Sequence, residues 1–328
     1  MVFQCLLLAI LMNLSGRVHG QFLPTAPSVM ENGSHVSALY LMGDSSVDCG
    51  KNSLFYPLLH RNLSLLPCNG KIGLPNCQPF YSQIGSIEGL IKGVNYGSAH
   101  ATIISPSSQS HPSFNQQLRQ VYETFQLLQL QLRQDRAQDF IKSSMFYLSF
   151  GRDDYVDLFL RNSSGMMLKY SGQEFARILA NQMVHAIRTL YDANVRKIIS
   201  AGILPLGCAP RVVWEWYNST ATHDGMGCVA EINELVLQYN TLLNEHIVEL
   251  NEELPDAQII FCDVYQGMME VITPALFGTN PSSLIQRYKN ACCGLGLHGA
   301  EIGCVSAETT CNQSSSHVWW DLYNPRKL

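Results

Sequence analysis

The chain has 328 residues, of which 46% are hydrophobic and 14% are charged, and its formal net charge is −5. This apolar content is enough for one large core, and α/β folds of this length often form a single domain. The charge is mild and forms neither a basic stripe nor an acidic block. This pattern argues against a nucleic-acid partner and against a disordered acidic tail.

The first 20 residues have the pattern of a signal peptide. An apolar run from Cys5 to Leu14 is followed by Val18-His19-Gly20, which places short residues at the last and third-last positions before a cleavage point. The run is too short to span a bilayer, and no later segment is apolar enough to do so. We therefore predict a signal peptide over residues 1–20, one domain over residues 21–328, and secretion to the extracellular space. A buried N-terminal strand or helix is the alternative.

Short apolar runs alternate with longer amphipathic segments along the rest of the chain. Four runs bounded by Gly, Asp or Pro predict strands: Ala38–Met42, Met145–Phe150, Lys197–Ala201 and Gln258–Asp263. Three stripes at helical spacing predict helices: Leu118, Val121, Phe125, Leu128 and Leu132; Phe175, Ile178, Leu179, Met183, Ala186 and Leu190; and Val229, Ile232, Leu235, Tyr239, Leu242 and Leu250. The alternation predicts a parallel sheet with helices on both faces, whose sites lie at the carboxyl ends of strands. Two irregular insertions are predicted, Asn52–Ser86 and Pro210–Gly227.

Cysteines are numerous after residue 20. There are ten of them: Cys49, Cys68, Cys77, Cys208, Cys228, Cys262, Cys292, Cys293, Cys304 and Cys311. An even number in an exported chain favours disulfides, whose pairing the spacing does not give. Buried free thiols are the alternative, above all for Cys262 inside an apolar run. The C-terminal cysteines, with His298 beside them, lack the paired spacing of a zinc site, so we predict no metal.

Asn-X-Ser/Thr triplets occur five times after residue 20, in polar stretches. They predict N-glycosylation at Asn32, Asn62, Asn162, Asn218 and Asn312.

The string Gly43-Asp44-Ser45-Ser46 directly follows the first predicted strand. A serine at this point stands on a rigid turn at the carboxyl edge of the sheet, which suits a nucleophile. The string does not match the G-x-S-x-G elbow, and an ordinary turn is the alternative interpretation.

Five further strings follow the GDSS string: Gly93–Ser98, Gly151–Asp154, Leu204–Cys208, Ala291–Gly294 and Trp320–Pro325. From about Ala38 to Pro325, the order and spacing of all six resemble the plant-type GDSL esterase/lipase family of SGNH hydrolases. The resemblance implies a three-layer α/β/α sandwich with a mainly parallel, five-stranded sheet. It also implies cofactor-free hydrolysis of carboxylic esters, such as acyl lipids or acetylated cell-wall material. Neither the resemblance nor the sequence fixes the oligomeric state.

The resemblance assigns the oxyanion-hole donors to the first three blocks. Ser45 matches the nucleophile, and its backbone N–H matches one donor. The second-block glycine, which donates through its N–H, aligns with Ala99, and Gly97 lies two residues earlier. The third-block asparagine, which donates through its side chain, aligns with Asp153.

The last family block, Asp-x-x-His-Pro, reads Asp321-Leu322-Tyr323-Asn324-Pro325. Asp321 matches the triad acid, and Asn324 stands at the position of the histidine. In the family a helix follows this block, whereas here only three residues follow Pro325. We therefore expect this block to lie on a weakly anchored terminus.

Two of these departures bear directly on the mechanism. Asn324 cannot accept the serine proton, and an ionised Asp153 cannot donate to an oxyanion. Three alternatives follow. In the first, His100 or His317 reaches Ser45 and acts as the base. In the second, Asp153 acts as the base and Asn324 as the hydrogen-bond donor. In the third, the site binds a lipid or glycan without efficient turnover.

Overall fold

A computed structural model describes residues 36–48, 77–83, 86–104, 111–161, 164–217, 220–221, 223–277 and 289–325. Several predictions fall outside these residues: the signal peptide, Cys49 and Cys68, and the glycosylation sites Asn32, Asn62, Asn162 and Asn218. Asn312 lies within the described part and is exposed, and its glycosylation stays a prediction.

Six strands form one sheet in the order β2-β3-β1-β4-β5-β6, and every neighbouring pair is parallel. They are β1 (Leu39–Gly43), β2 (Gln78–Pro79), β3 (Val94–Asn95), β4 (Met145–Ser149), β5 (Lys197–Ala201) and β6 (Gln258–Cys262). The four predicted strands are confirmed, with ends that differ by at most one residue. The sheet has six strands instead of five because the two-residue strands β2 and β3 both pair. Each is too short to give an apolar pattern.

Helices cover both faces of this sheet, as the α/β/α prediction requires. They are α1 (Ile87–Leu90), α2 (Phe114–Leu132), α3 (Gln134–Ser143), α4 (Met166–Lys169), α5 (Gly172–Asp192), α6 (Pro210–Glu215), α7 (Ala230–Glu253) and α8 (Val264–Phe277), with a π-helical turn at Asp154–Phe159. The three predicted stripes lie on α2, α5 and α7. Among the described residues, none of the helices has the length and apolarity needed to cross a membrane.

The predicted irregular insertion at Pro210–Gly227 begins instead with helix α6. Pro210 occupies the first turn of α6, where its fixed φ suits a helix and its missing N–H is not needed. Serines start two of the long helices. Ser113 and Ser171 form capping boxes with Gln116 and Glu174, so each start is specified by two residues three positions apart.

The strands pack a core on each face of the sheet. Tyr40 and Phe146 belong to the larger core, against α2, α5 and α7, whereas Leu39, Tyr147 and Ile199 belong to a smaller core on the other face. Successive strand side chains point to opposite faces. A strand buried on both sides therefore reads as a continuous apolar run, as β4 does.

Disulfides tie down the C-terminal part of the chain. The described pairs are Cys208–Cys228, Cys292–Cys311 and Cys293–Cys304, and Cys262 is also disulfide-bonded. The free-thiol alternative is therefore wrong for Cys262, whereas Cys77 is a buried free thiol. The sulfurs of Cys292 and Cys311 lie near His317, but their bond to each other removes the thiolates that a metal would need.

The last family block is anchored, contrary to the expectation of a weakly held terminus. The backbone N–H groups of Cys292 and Cys293 donate to the carbonyl oxygens of Trp319 and Trp320 at 3.1 and 2.6 Å. The N–H of Arg211 donates to Leu322 O at 3.2 Å. These bonds join the block to a disulfide-linked segment and to α6.

Gly43 ends β1 where no side chain has room. A Cβ at this position would lie 2.5 Å from Ser149 O and would also overlap the Val47 side chain. We predict that Gly43→Ala lowers the free energy of unfolding by about 2–3 kcal/mol, because the backbone must move to relieve the overlap. Urea denaturation measures the loss. The matched control is Gly225→Ala, where a Cβ meets nothing within 4 Å. Equal stability of the two variants would contradict the prediction.

Candidate active site

The carboxyl ends of three adjacent strands meet at one edge of the sheet. Strand β1 lies between β3 and β4, and all three are parallel. Ser45 follows β1, His100 follows β3 and Asp153 follows β4. The pairing of these strands therefore brings together three residues that are far apart in the sequence.

Hydrogen bonds fix the turn that carries Ser45. The backbone N–H and carbonyl of Gly43 both bond to the buried side-chain amide of Gln117, at 2.9 and 2.8 Å. The N–H of Asp44 donates to Ser149 O at 3.0 Å. The buried Asp44 carboxylate accepts from the N–H of Ser46 at 2.8 Å. Ser45 thus stands on a turn held by α2 and β4.

The hydroxyl of Ser45 has two hydrogen-bond partners in the described part of the chain. It donates to Asp153 Oδ2 at 2.5 Å, and it accepts from the backbone N–H of His100 at 3.1 Å. Neither partner is an imidazole. The group placed to receive the serine proton is therefore a carboxylate.

The Asp153 carboxylate accepts hydrogen bonds at both of its oxygens. Oδ2 accepts from the backbone N–H groups of Ser45 and His100, at 2.9 and 2.8 Å. Oδ1 accepts from Nε and Nη2 of Arg152, at 3.2 and 3.1 Å. Asp153 is only 3% exposed and Arg152 only 5%, so this ion pair is buried. Asp153 therefore accepts hydrogen bonds at the position where the sequence resemblance predicts a donating asparagine.

Asn324 lies between Asp321 and Arg152. Its side-chain Nδ2 donates to both carboxylate oxygens of Asp321, at 3.1 and 2.9 Å, and its backbone N–H donates to Oδ1 at 2.8 Å. Its Oδ1 accepts from Nη1 of Arg152 at 2.5 Å. Asp321 thus orients the residue three positions later, as a triad acid would, but that residue binds Arg152 and not Ser45.

Besides the N–H of Ser45, a second backbone N–H points to Asp153 Oδ2. It belongs to His100, one residue beyond the predicted donor Ala99. The N–H of Gly97, the other predicted donor, is directed to Asn95 Oδ1 at 2.7 Å and so turns away from Ser45. His100 has a φ of 60°. Few side chains adopt this left-handed backbone, which is why a glycine is favoured at such a position.

The two candidate replacement histidines bond elsewhere. Nδ1 of His100 pairs with Asp157 Oδ2 at 2.7 Å, and this contact raises the pKa of the imidazole. Nδ1 of His317 lies 3.1 Å from Gln313 O and beside the Cys311 sulfur. The exchange of roles between Asp153 and Asn324 fits the geometry only for Asp153, which accepts from the Ser45 hydroxyl. The NH₂ group of Asn324 donates to Asp321 and not toward Ser45.

Comparison with known proteins identifies the family. The profile of the GDSL-like lipase/acylhydrolase family matches residues 39–321. The chain belongs to this family. Among its relatives in Arabidopsis thaliana, GDSL esterase/lipase At1g71250 is 26% identical over 91% of this chain and 84% of its own length. GDSL esterase/lipase 7 is 28% identical over 88% and 84%, and GDSL esterase/lipase At1g71691 is 28% identical over 97% and 88%.

Buried carboxyl groups surround the site of this GDSL protein. Burial, reinforced by the nearby Asp153, raises the pKa of Asp44 to about 6. Burial also raises the pKa of Asp154 to about 8, although Asp154 accepts from the N–H groups of Ile103 and Ile104. Asp154 thus holds the loop that carries the His100 amide.

Arg152 is the cation among these acids. Burial alone would lower its pKa, but the carboxylates of Asp153, Asp44 and Asp321 outweigh burial and raise the pKa. The sequence patterns assigned no role to Arg152, Asp154 or the His100 amide. The only available signal for Arg152 and Asp154 was their place in the third family block.

Asp154 predicts a pH-dependent stability. Its folded-state pKa of about 8 lies above the ordinary value of 3.8, so the folded state binds this proton more tightly than the unfolded chain. The contribution of Asp154 to the free energy of unfolding should therefore be greatest below pH 4. It should fall by about 1.4 kcal/mol per pH unit up to about pH 8. Urea denaturation at pH 5, 6.5 and 8 should show that the wild type loses stability relative to Asp154→Asn as the pH rises. A difference that is constant over this range would refute the prediction, and Asp192→Asn, at an exposed site, serves as the control.

Proposed function

We propose that this protein is a secreted GDSL-family hydrolase of carboxylic esters, with acyl lipids or acetylated cell-wall material as substrates and Ser45 as the nucleophile. The observation that carries the proposal is the hydrogen bond from the Ser45 hydroxyl to Asp153, made at the carboxyl edge of a parallel sheet. Family membership supports the ester chemistry. The disulfides of the described residues support export to an oxidising compartment.

The reaction begins when Ser45 Oγ bonds to the carbonyl carbon of the ester, and the hydroxyl proton passes to Asp153 Oδ2. The carbonyl oxygen takes up the electron pair as an oxyanion, which the N–H groups of Ser45 and His100 stabilise once the protonated Asp153 side chain releases them. When the C–O bond of the ester breaks, the leaving alkoxide takes the proton back from Asp153. A water molecule then releases the acid from Ser45 by the same two steps.

The rate of this reaction should be well below that of a Ser-His-Asp site. A carboxylate accepts a serine proton less readily than an imidazole at neutral pH. An enzyme that lacks one triad member usually retains only about 10³–10⁴-fold acceleration over water. We therefore propose slow turnover.

The first test is hydrolysis of a p-nitrophenyl ester by purified protein. Ser45→Ala should lower the rate at least about tenfold, because the attacking oxygen is lost. Ser46→Ala, the adjacent serine on the same turn, is the matched control and should keep the rate. Equal rates for wild type and Ser45→Ala would show that Ser45 is not the nucleophile.

A second candidate function is the binding of a lipid or glycan ester without efficient turnover. It is favoured by one observation, which is that the Asp153 carboxylate itself occupies the two backbone N–H groups that an oxyanion would need. A protein with this site would recognise the substrate of an esterase but would release it unchanged.

A fluorophosphonate probe separates the two candidates, since it labels a serine that is activated for attack. A slow esterase should label slowly but measurably, whereas a binding protein should not label. In either case the combination of Asn324→His and Asp153→Asn should raise the labelling rate about 10²-fold or more, because it supplies a base and a neutral donor together. Asn324→His alone should stay close to wild type, and Asp153→Asn alone should label no faster than wild type, because it removes the group that accepts the Ser45 proton. Rapid labelling of the wild type would exclude the binding function, and an unchanged double variant would exclude both site assignments.

A further inference from the structure

The Asp153 carboxylate is bound as a ligand would be bound. Oδ2 accepts from the N–H groups of Ser45 and His100 and from the Ser45 hydroxyl, and Oδ1 accepts two N–H bonds from Arg152. Five donors thus surround one carboxylate that is 3% exposed. A carboxylate has room for about four such bonds in ideal geometry, so this one is fully satisfied.

The donors are rigid and belong to separate parts of the fold. The Ser45 amide is fixed by the turn after β1, and the His100 amide by a left-handed backbone with a φ of 60°. Arg152 is 5% exposed, and its remaining donor group is held by Asn324, which Asp321 orients in turn. The pocket around the carboxylate is therefore preformed by elements other than the Asp153 side chain.

A carbonyl oxygen of an ester and Asp153 Oδ2 need the same two donors. With Oδ2 2.9 and 2.8 Å from the two amide nitrogens, no second oxygen fits at hydrogen-bond distance from both. The resting site is thus closed to an oxyanion by a group of the chain itself.

We propose that the N–H groups of Ser45 and His100, together with the Arg152 guanidinium, form a carboxylate-binding site that the protein fills with its own Asp153. The ligand class is a small monocarboxylate, which is also the acid product of ester hydrolysis. Asp153 is then an internal inhibitor of the oxyanion site, and Arg152 is a positioning residue that holds it there. This inhibitory role rests on the proposed function of Ser45, whereas the carboxylate site itself does not.

The test removes the internal ligand and supplies an external one. Asp153→Ala and Asp153→Ser each leave the N–H groups of Ser45 and His100 without a carboxylate and remove the ion-pair partner of Arg152. Acetate should bind in the vacated space and raise Tm by about 3 °C at ten times its Kd. Sodium chloride at equal ionic strength and acetamide, a neutral molecule of the same shape, should give no such rise.

Two proteins serve as controls for the acetate effect. The wild type should show no acetate-specific rise because Asp153 occupies the site, and Asp192→Asn should show none because it removes an exposed carboxylate elsewhere. If a variant unfolds in chloride buffer, refolding yield replaces Tm as the readout, and acetate should raise the yield above that in acetamide.

The possible outcomes separate this inference from the proposed function. An acetate-specific response of either Asp153 variant supports the carboxylate site, even where no ester turnover depends on Ser45. An equal response to acetate and acetamide overturns it, as does no response in either variant, or a failure of both to fold in acetate, even where Ser45→Ala abolishes turnover.

Discussion

The candidate site depends on the buried ion pair between Arg152 and Asp153. Both side chains are almost inaccessible to water, and removing one partner of such a pair typically costs about 3–5 kcal/mol because the other charge is left uncompensated. The guanidinium also contacts Asn324, so the third and last family blocks are joined through one cation. The side-chain amide of Asn324 bonds to both of its neighbours in this network. Its Nδ2 donates to Asp321, and its Oδ1 accepts from Arg152. Asp153 and Asn324, the two residues predicted to depart from the family pattern, therefore belong to one network.

The fold could be read from the sequence where strands are long enough to carry a pattern. The run from Lys197 to Ala201 is the observed β5 with both ends correct, because it is buried on both faces and lies between Arg196 and Gly202. The edge of the sheet could not be read in this way. Strands β2 and β3 have two residues each, and their pairing is imposed by the neighbouring strand β1 and not by local propensity. The helix within the predicted insertion at Pro210 was missed because six residues are too few to establish a helical stripe.

For the site, sequence blocks located the residues but not the directions of their hydrogen bonds. The backbone donor was predicted at Ala99 or Gly97, but the N–H group that points toward Ser45 and Asp153 belongs to His100. The direction of an amide depends on the φ and ψ angles of its own loop, which the sequence blocks do not show. Arg152 illustrates a different limit. Its partner Asn324 lies 172 positions away, so no local pattern could indicate that contact. The sequence predicted that Asp153 stands at the position of a donating asparagine. Its occupation of both amides followed only from the geometry of the three strand ends.

A carboxylate at residue 153, where the family resemblance predicts an amide, has a larger effect than the loss of one donor. An asparagine at this position could direct its NH₂ group toward an oxyanion and leave the backbone amides of Ser45 and His100 open to it. A carboxylate is an acceptor only, and in a pocket with two N–H groups and a guanidinium it is itself the best available ligand. The N–H groups that stabilise a developing oxyanion must therefore also stabilise the Asp153 carboxylate. Any change that makes them better donors to an oxyanion also makes them bind Asp153 more tightly. A histidine at residue 324 would leave this competition unchanged, so in the proposed mechanism residue 153 controls whether the two amides are open to a substrate oxygen.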